Sequence, residues 1–261
     1  MKIGMYDSGI GGLTVAGEVI KKIPNADILY IADNYNVPYG DKPAEVIKSF
    51  SCEISRYLTE HGADTVCIAC NMSTAVSLEK IKSLYPDKKI YGTIEFGAEE
   101  ALKYSQNIGV IATGGTVKSR AYTECIHRLC PNAIVTEEPC PEFVPLVEAD
   151  RCNTEEAENA VKYHIENILK KENIGALVLG CTHYPYLTDQ IKKYLPENVK
   201  IINPATAMAE FLAQEKIYGN QNFSFECCAT KNAENVSAVC RKMMNLDTDC
   251  RLIQWKDGRL I

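Results

Sequence analysis

The chain has 261 residues, of which 46% are hydrophobic and 24% charged, as in an ordinary globular protein of one large or two medium-sized domains. Its net charge of −6 argues against a basic surface, so we expect no nucleic-acid partner. No apolar run approaches the roughly 18 residues of a membrane helix, and the first strand begins without a signal peptide. We therefore expect a cytoplasmic protein with no membrane partner.

The first part of the chain alternates strands with helices. The predicted strands are 2–6, 26–32, 63–70 and 89–94, and the predicted helices are 43–62 and 73–85. A glycine-rich turn after the first strand carries Asp7 and Ser8 and opens a helix, where backbone amides can hold an anion. Its glycine spacing matches neither a dinucleotide fingerprint nor a P-loop. The loop 33–40 contains Pro38, Tyr39 and Gly40, which an ordinary turn also explains.

The second part repeats this layout. Predicted strands at 106–112, 133–137, 175–180 and 200–202 alternate with predicted helices at 119–129, 154–172, 187–195 and 206–215. The tail adds strands at 223–229 and 250–254 around a helix at 233–243. Such alternation predicts an α/β fold with largely parallel sheets.

An internal repeat relates the two parts. Each begins with a strand, a small polar residue, glycines and a Thr-Val helix start, and the second copy carries Thr113 and Thr116. Asp7 precedes Cys70 by 63 positions, and Thr113 precedes Cys181 by 68. We therefore expect two pseudo-symmetric halves, each with one cysteine at an equivalent strand end.

Cysteines are numerous, at 12. Because disulfides are rare in a reducing cytosol, we expect most of them to be free thiols that pack as small apolar side chains. These are Cys52, Cys67, Cys125, Cys130, Cys140, Cys152, Cys227, Cys228, Cys240 and Cys250. Cys70 and Cys181 differ because each lies at the carboxyl end of an apolar strand, where α/β proteins bind ligands.

Two facing thiols suit the inversion of a stereocentre, since one thiolate removes a proton while the opposite thiol returns one. A free thiol has a pKa of about 8.5, so neighbouring groups must assist. The candidate assistants are His183 beside Cys181, Asp7 for Cys70, and Glu148. The candidate binding groups for an amino acid's carboxylate and ammonium are Ser8, Asn71, Thr113, Thr116 and Thr182.

Six motifs carry a resemblance to a known family. They are 7–15, Pro38-Tyr39-Gly40, Cys70-Asn71, Thr113 with Thr116, 143–148 and 179–185. With these motifs the sequence resembles the cofactor-independent aspartate/glutamate racemases, and glutamate racemases in particular.

The resemblance implies two α/β domains, residues 1–97 with 208–261 and residues 98–207, with the active site in the cleft between them. It implies interconversion of L- and D-glutamate for peptidoglycan and hence cell-wall synthesis and cell shape, with no cofactor or metal and as a homodimer. By the same resemblance Cys70 acts on the D-isomer and Cys181 on the L-isomer, and Pro38, Tyr39, Gly40 and Met72 border the substrate.

Two departures from the family pattern bear on the substrate. Met72-Ser73 stands where the family usually has Thr-Ala, and Phe96 stands where it usually has Pro. They leave open a racemase of weak activity, or one for another acidic amino acid, such as aspartate. A non-catalytic two-lobed amino-acid binding protein explains the polar residues but not the paired thiols. A Cys67–Cys70 redox pair and a zinc site of Cys70, Cys181 and His183 are less favoured.

Overall fold

The computed structural model describes residues 1–215 and 222–261. The chain divides into two compact units, Met1–Thr93 with Met208–Ile261, and Ile94–Ala207. The strands are, in chain order, β1 (Lys2–Asp7), β2 (Asp27–Ala32), β3 (Ala63–Ile68), β4 (Lys89–Gly92), β5 (Asn107–Ala112), β6 (Ile134–Pro139), β7 (Ala176–Gly180), β8 (Lys200–Ile202), β9 (Ser224–Ala229), β10 (Arg251–Leu252), β11 (Trp255–Lys256) and β12 (Arg259–Leu260).

The helices alternate with these strands. They are α1 (Leu13–Lys22), α2 (Ala44–Glu60), α3 (Asn71–Leu84), α4 (Thr93–Leu102), α5 (Gly114–Ser119), α6 (Ala121–Leu129), α7 (Phe143–Glu148), α8 (Glu155–Lys171), α9 (Thr188–Tyr194), α10 (Pro204–Gln214) and α11 (Ala233–Met244), with a 3₁₀ turn at Tyr184–Leu187. The α/β prediction is confirmed. Within the described residues, no helix combines the length and the apolar character needed to cross a membrane.

The first unit is built on a parallel sheet with the strand order β10-β9-β2-β1-β3-β4. Tyr6 at the end of β1 pairs with Ile68 at the end of β3, and the Ala69 N–H donates to the Tyr6 carbonyl over 2.9 Å. Because parallel strands end at the same sheet edge, Asp7 and Cys70 both leave the sheet there. The apolar side chains of α2 pack on one face of this sheet.

The second unit contains a parallel sheet with the order β6-β5-β7-β8. The same order, β2-β1-β3-β4, occurs in the first unit, where β1, β2, β3 and β4 correspond to β5, β6, β7 and β8. The predicted repeat is therefore confirmed at the level of topology. Cys70 follows the third strand of its unit and Cys181 follows the third strand of the other. A single apolar core holds α7, α8, α9 and the buried strand β7 together.

Three predicted elements need correction. The strand predicted at 89–94 ends at Gly92, because Thr93 begins α4, a helix that the pattern did not predict. The helix predicted at 119–129 begins only at Ala121, as α6. Residue 119 is instead the last residue of α5, and Arg120 separates the two helices because it takes a left-handed conformation with φ of 55°. The strand predicted at 250–254 shortens to the two residues of β10 and is followed by the unpredicted hairpin β11–β12.

Candidate functional site

Asp7 is held at the carboxyl end of β1 by the glycine-rich turn. It is fully buried, and the Gly9 N–H donates to its Oδ2 over 3.0 Å. The Tyr30 hydroxyl fixes the same turn by donating to the Gly9 carbonyl. A Cβ on Gly12 would lie 2.3 Å from the Asp7 Cβ, so only glycine lets α1 begin this close to the carboxylate. The turn therefore serves to place Asp7 and the adjacent Ser8.

Cys70 is the N-cap of α3. Its Sγ accepts a hydrogen bond from the Ser73 N–H over 3.5 Å, and the residue is 6% exposed. Backbone N–H groups at a helix start favour negative charge on such an atom. Asn71 occupies the first position of the helix and is buried beside it.

Met72 gives Cys70 an apolar neighbour. The two residues belong to one buried cluster with Tyr39, from the loop after β2, and with Ile47, from α2. Neither neighbouring hydroxyl takes the place of the family's usual threonine: Thr74 Oγ1 donates to backbone carbonyls, at 2.9 Å for that of Cys70, and Ser73 is fully buried.

The loop after β2 positions Tyr39 through a buried carboxylate that the sequence pattern did not single out. The Tyr39 hydroxyl donates to Asp33 Oδ2 over 2.6 Å, while Thr230 and Trp255 both donate to Asp33 Oδ1 over 2.7 Å. Burial raises the pKa of Asp33, although these hydrogen bonds oppose the shift. One signal was present: Asp33 directly follows a buried strand, much as Asp7 ends one. Pro38 and Gly40 flank Tyr39 in this loop, and the Val37–Pro38 peptide is cis.

The second unit opens its first helix with a threonine. Thr113 is the N-cap of α5 and accepts a hydrogen bond from the Thr116 N–H, and the two hydroxyl oxygens lie 3.1 Å apart. Thr116 is buried. This pair occupies the place in the second unit that Asp7 and the glycine-rich turn occupy in the first.

A three-residue relay surrounds the second thiol. Cys181 Sγ lies 3.7 Å from His183 Nδ1, and His183 Nε2 lies 2.7 Å from Glu148 Oε1. His183 is 2% exposed, whereas the Glu148 side chain is 29% exposed at the end of α7. The imidazole can thus exchange a proton with the sulfur on one side while the carboxylate orients it on the other.

The close packing of β7 against β5 fixes the position of Cys181, the first residue of this relay. A Cβ on Gly180 would lie 2.9 Å from the Ile111 carbonyl oxygen, so glycine ends β7 directly beside β5. Cys181 and Thr182, which follow it, are both buried, and Cys181 is 8% exposed. The Tyr184 hydroxyl donates to the Cys140 carbonyl over 3.0 Å and anchors the chain after His183.

The redox alternative is not supported by the position of Cys67. This residue points into the core from β3, and burial raises the pKa of its thiol to about 12. A reactive thiol needs a neighbourhood that stabilises its thiolate, and burial acts on Cys67 in the opposite direction. Cys67 therefore belongs to the packing cysteines.

Comparison with known proteins decides the family. The sequence matches the Asp/Glu/Hydantoin racemase family over residues 19–212. The chain belongs to this family. It is similar to a glutamate racemase of Prochlorococcus marinus (strain NATL1A), with 35% identity over 97% of each chain.

Solved structures of racemases share the fold. The glutamate racemase isoform RacE1 from Bacillus anthracis matches with a TM-score of 0.89 and 32% identity over 98% of each chain. The glutamate racemase of Francisella tularensis, solved in complex with D-glutamate, matches with a TM-score of 0.88 and 29% identity over 98% of this chain and 97% of that one. These racemases thus share the two-unit architecture of this chain across nearly its whole length.

Proposed function

We propose that the protein interconverts L- and D-glutamate by proton transfer at Cα, with Cys70 and Cys181 as the two acid–base groups and no cofactor. The single observation that carries this mechanism is that two units sharing the same order of four central strands each present a cysteine after the third of these strands in the chain. The curated and solved relatives named glutamate racemases support the substrate.

Inversion of the L-isomer begins at Cys181 in this proposal. The Cys181 thiol gives its proton to His183 Nδ1, and the resulting thiolate removes the Cα proton of L-glutamate. The Cys70 thiol then protonates the opposite face of Cα, which yields D-glutamate and a Cys70 thiolate. The reverse reaction uses the same groups in exchanged roles, with Cys70 acting on the D-isomer.

Each thiolate needs a stabilising neighbourhood. For Cys181 this is the His183 imidazole, whose other nitrogen is turned towards Glu148. For Cys70 it is the start of α3, and Asp7 serves as the proton acceptor at the same sheet edge.

Polar groups around the thiols bind the substrate in this proposal. Hydroxyls, amides and turn backbone hold its carboxylates and ammonium group, while Met72 contacts its carbon chain. The proposed binding residues are Asp7, Ser8, Pro38, Tyr39, Gly40, Cys70, Asn71, Met72, Thr113, Thr116, Cys181, Thr182 and His183.

The cellular role follows from the product. We propose that D-glutamate made by this protein enters peptidoglycan, that the protein works in the cytoplasm, and that it forms a homodimer. Size-exclusion chromatography with light scattering measures the last of these directly.

Deuterium exchange at Cα tests the mechanism. NMR in deuterated water should show exchange with inversion for both glutamate isomers in the wild-type protein. In Cys181→Ala, racemisation should fall by about 10³-fold or more, and exchange into L-glutamate should be lost, so that any remaining exchange is confined to D-glutamate with retained configuration. Cys70→Ala should show the mirror-image pattern, and Cys130→Ala should behave as the wild type.

A binding protein without chemistry would give a different result. It would bind glutamate with little change after either substitution and would show no exchange at Cα in any variant. Exchange that survives fully in both single variants would sink the two-cysteine mechanism while leaving racemisation itself intact.

The same assay with aspartate tests the substrate. We expect exchange with glutamate and not with aspartate, and Met72→Thr should lower the KM for glutamate by about tenfold, the effect of one hydrogen bond to a charged group. Exchange with aspartate alone would mean that Met72 and Phe96 mark a different specificity.

A further inference from the structure

Three cysteines outside the proposed racemase chemistry meet in the first unit. Cys227 lies in β9, Cys240 in α11 and Cys250 directly before β10. The Cys227 side chain is in hydrogen-bonding contact with those of both Cys240 and Cys250. Cys227 thus contacts the thiols of two other segments of the chain.

The sheet register explains the meeting of Cys227 and Cys250. Arg251 pairs with Cys228 in the parallel β9–β10 ladder, so one residue earlier in the same register Cys250 lies beside Cys227. Side chains alternate between faces along a strand, and Cys228 packs in the core cluster beneath α2. Cys227 and Cys250 therefore share the opposite face, where α11 packs on β9.

The spacing permits a bond between these two thiols. Neighbouring strands lie about 4.8 Å apart, and disulfides join residues whose Cα atoms are roughly 4.4–6.8 Å apart. A bound metal is the other use of three thiols, but within residues 1–215 and 222–261 no group of three His, Cys, Asp or Glu side chains is arranged to hold one.

We propose that Cys227, Cys240 and Cys250 form a thiol-oxidation site, at which a peroxide converts the thiols of Cys227 and Cys250 into a disulfide. Cys250 is the entry point because it is partly exposed, whereas Cys227 and Cys240 are buried. The hydrogen bond between Cys227 and Cys240 raises the pKa of Cys227 and lowers the pKa of Cys240. Cys227 is nevertheless the partner proposed for Cys250, because the register of the β9–β10 ladder brings these two residues side by side.

The chemistry balances with peroxide as the two-electron oxidant. The Cys250 sulfur attacks one peroxide oxygen, the O–O bond breaks, and a sulfenic acid and one water form. The Cys227 sulfur then attacks the sulfenic sulfur, and the departing hydroxide takes up the Cys227 proton as a second water. Two thiols have lost two electrons in all, and a thiol reductant reverses the result.

Tryptic mapping of the full-length protein tests this proposal. Cys240 and Cys250 fall in different tryptic peptides, 232–241 and 243–251, while Cys227 and Cys228 share the peptide that ends at Lys231. The Cys228→Ser variant makes the third peptide unambiguous. After hydrogen peroxide treatment and alkylation of the remaining thiols, the Cys227 and Cys250 peptides should be linked, and dithiothreitol should separate them.

Two variants sharpen the result. In Cys227→Ser the sulfenic acid on Cys250 has no partner, so a dimedone-type probe should label Cys250 several-fold more than in the wild type. In Cys130→Ser, which alters another partly exposed thiol, the link should form as before. Far-ultraviolet circular dichroism checks that each variant is folded. Oxidation of Cys250 without a link to Cys227, a link from Cys227 to Cys240 instead, or an unreactive Cys250 would each overturn the proposal, and the map of the Cys228→Ser variant decides between these outcomes.

Discussion

The carboxylate of Glu148 acts on the second thiol only through an intervening ring. It contacts His183 Nε2, on the side of the imidazole away from Cys181. Under the proposed mechanism it is a positioning residue, which fixes the tautomer and stabilises the imidazolium that forms when the thiol ionises. The rate of racemisation should then depend on the charge of residue 148 rather than on its shape.

Glu148→Gln should lower kcat for racemisation by about 10- to 100-fold and leave the KM for glutamate nearly unchanged, because the amide keeps a hydrogen bond to His183 but removes the charge. Since the two enantiomers have equal free energy in solution, kcat/KM must fall equally in both directions. Polarimetry from each isomer measures this. Glu155→Gln, at an acidic residue in the first turn of α8, is the control. A rise in KM without a fall in kcat would place residue 148 in substrate binding instead.

Individual residues differed in how readily the sequence revealed them. The candidates Asp7, Cys70 and Cys181 lie at the carboxyl ends of apolar strands, so their positions could be read from a local pattern. The Asp33 network could not, because its partners Thr230 and Trp255 lie 197 and 222 positions away and only tertiary folding joins them. The same holds for the contact between Cys227 and Cys250.

At the scale of elements, the start of α1 depends on a residue without a side chain. Gly12 has φ of −64° and ψ of −14°, a conformation open to any residue, so only the closeness of Asp7 and Tyr30 demands glycine. Gly12→Ala should destabilise the protein by about 1–3 kcal/mol through overpacking and should raise the KM for glutamate by displacing Asp7.

Gly17→Ala supplies the matched control in the same helix. A Cβ there would meet Met244 Cγ at 3.4 Å, an ordinary contact, so the substitution should stabilise the protein by about 0.5–1 kcal/mol. Urea unfolding and glutamate kinetics on both variants make the comparison. Equal behaviour of the two variants would show that crowding around Asp7 does not govern the turn.

An ion pair couples α8 to β6 in the second unit. Lys171 Nζ lies 2.6 Å from Glu138 Oε2, and His164 Nδ1 lies 3.0 Å from the other carboxylate oxygen. Burial by itself would raise the pKa of Glu138, but the hydrogen bonds from Lys171 and His164 outweigh it and hold the pKa below its usual 4.5. The resulting stabilisation is present above that usual value and is lost as pH falls through the lowered one.

Lys171→Met should therefore reduce the free energy of unfolding by about 1–3 kcal/mol at pH 7, because it leaves a buried carboxylate without its cation. The difference from the wild type should shrink as the pH falls from the usual value through the lowered pKa of Glu138, because protonation of the carboxylate removes its need for a cation. Lys170→Met is the control, since Lys170 pairs with the more exposed Glu166, at 3.8 Å. Chemical denaturation at several pH values gives the curves. A pH-independent difference would mean that Lys171 acts by packing.

The elements that the sequence did not predict have local causes. Helix α4 begins with Thr-Ile, which resembles the end of a strand, and contains Gly97, which disfavours a helix. Gly97 is tolerated because a Cβ there would approach Pro204 to 2.9 Å, so packing requires the glycine that local preference penalises. The hairpin β11–β12 has strands of only two residues, too short for an alternating pattern to show.

On the scale of the whole molecule, the two units differ in how the chain builds them. The second unit is continuous in sequence, whereas the first needs both ends of the chain. Strand β9 pairs with β2 along its full length, from Asp27 with Ser224 to Ala32 with Ala229. Without the carboxy-terminal segment, β2 would become an unpaired edge and the buried Asp33 would lose two of its hydrogen-bond donors.

This difference predicts opposite fates for fragments of the chain. A fragment of residues 93–207 should fold alone and unfold cooperatively in urea, because its sheet and its core cluster lie wholly within it. A fragment of residues 1–92 should lack cooperative unfolding until a peptide of residues 208–261 is added, which returns β9 and the donors to Asp33. Circular dichroism and amide-proton dispersion in NMR spectra distinguish the two states. Cooperative folding of 1–92 alone would show that the first unit forms without β9. The hydrogen bonds from Thr230 and Trp255 to Asp33 would then not be needed for the sheet to fold.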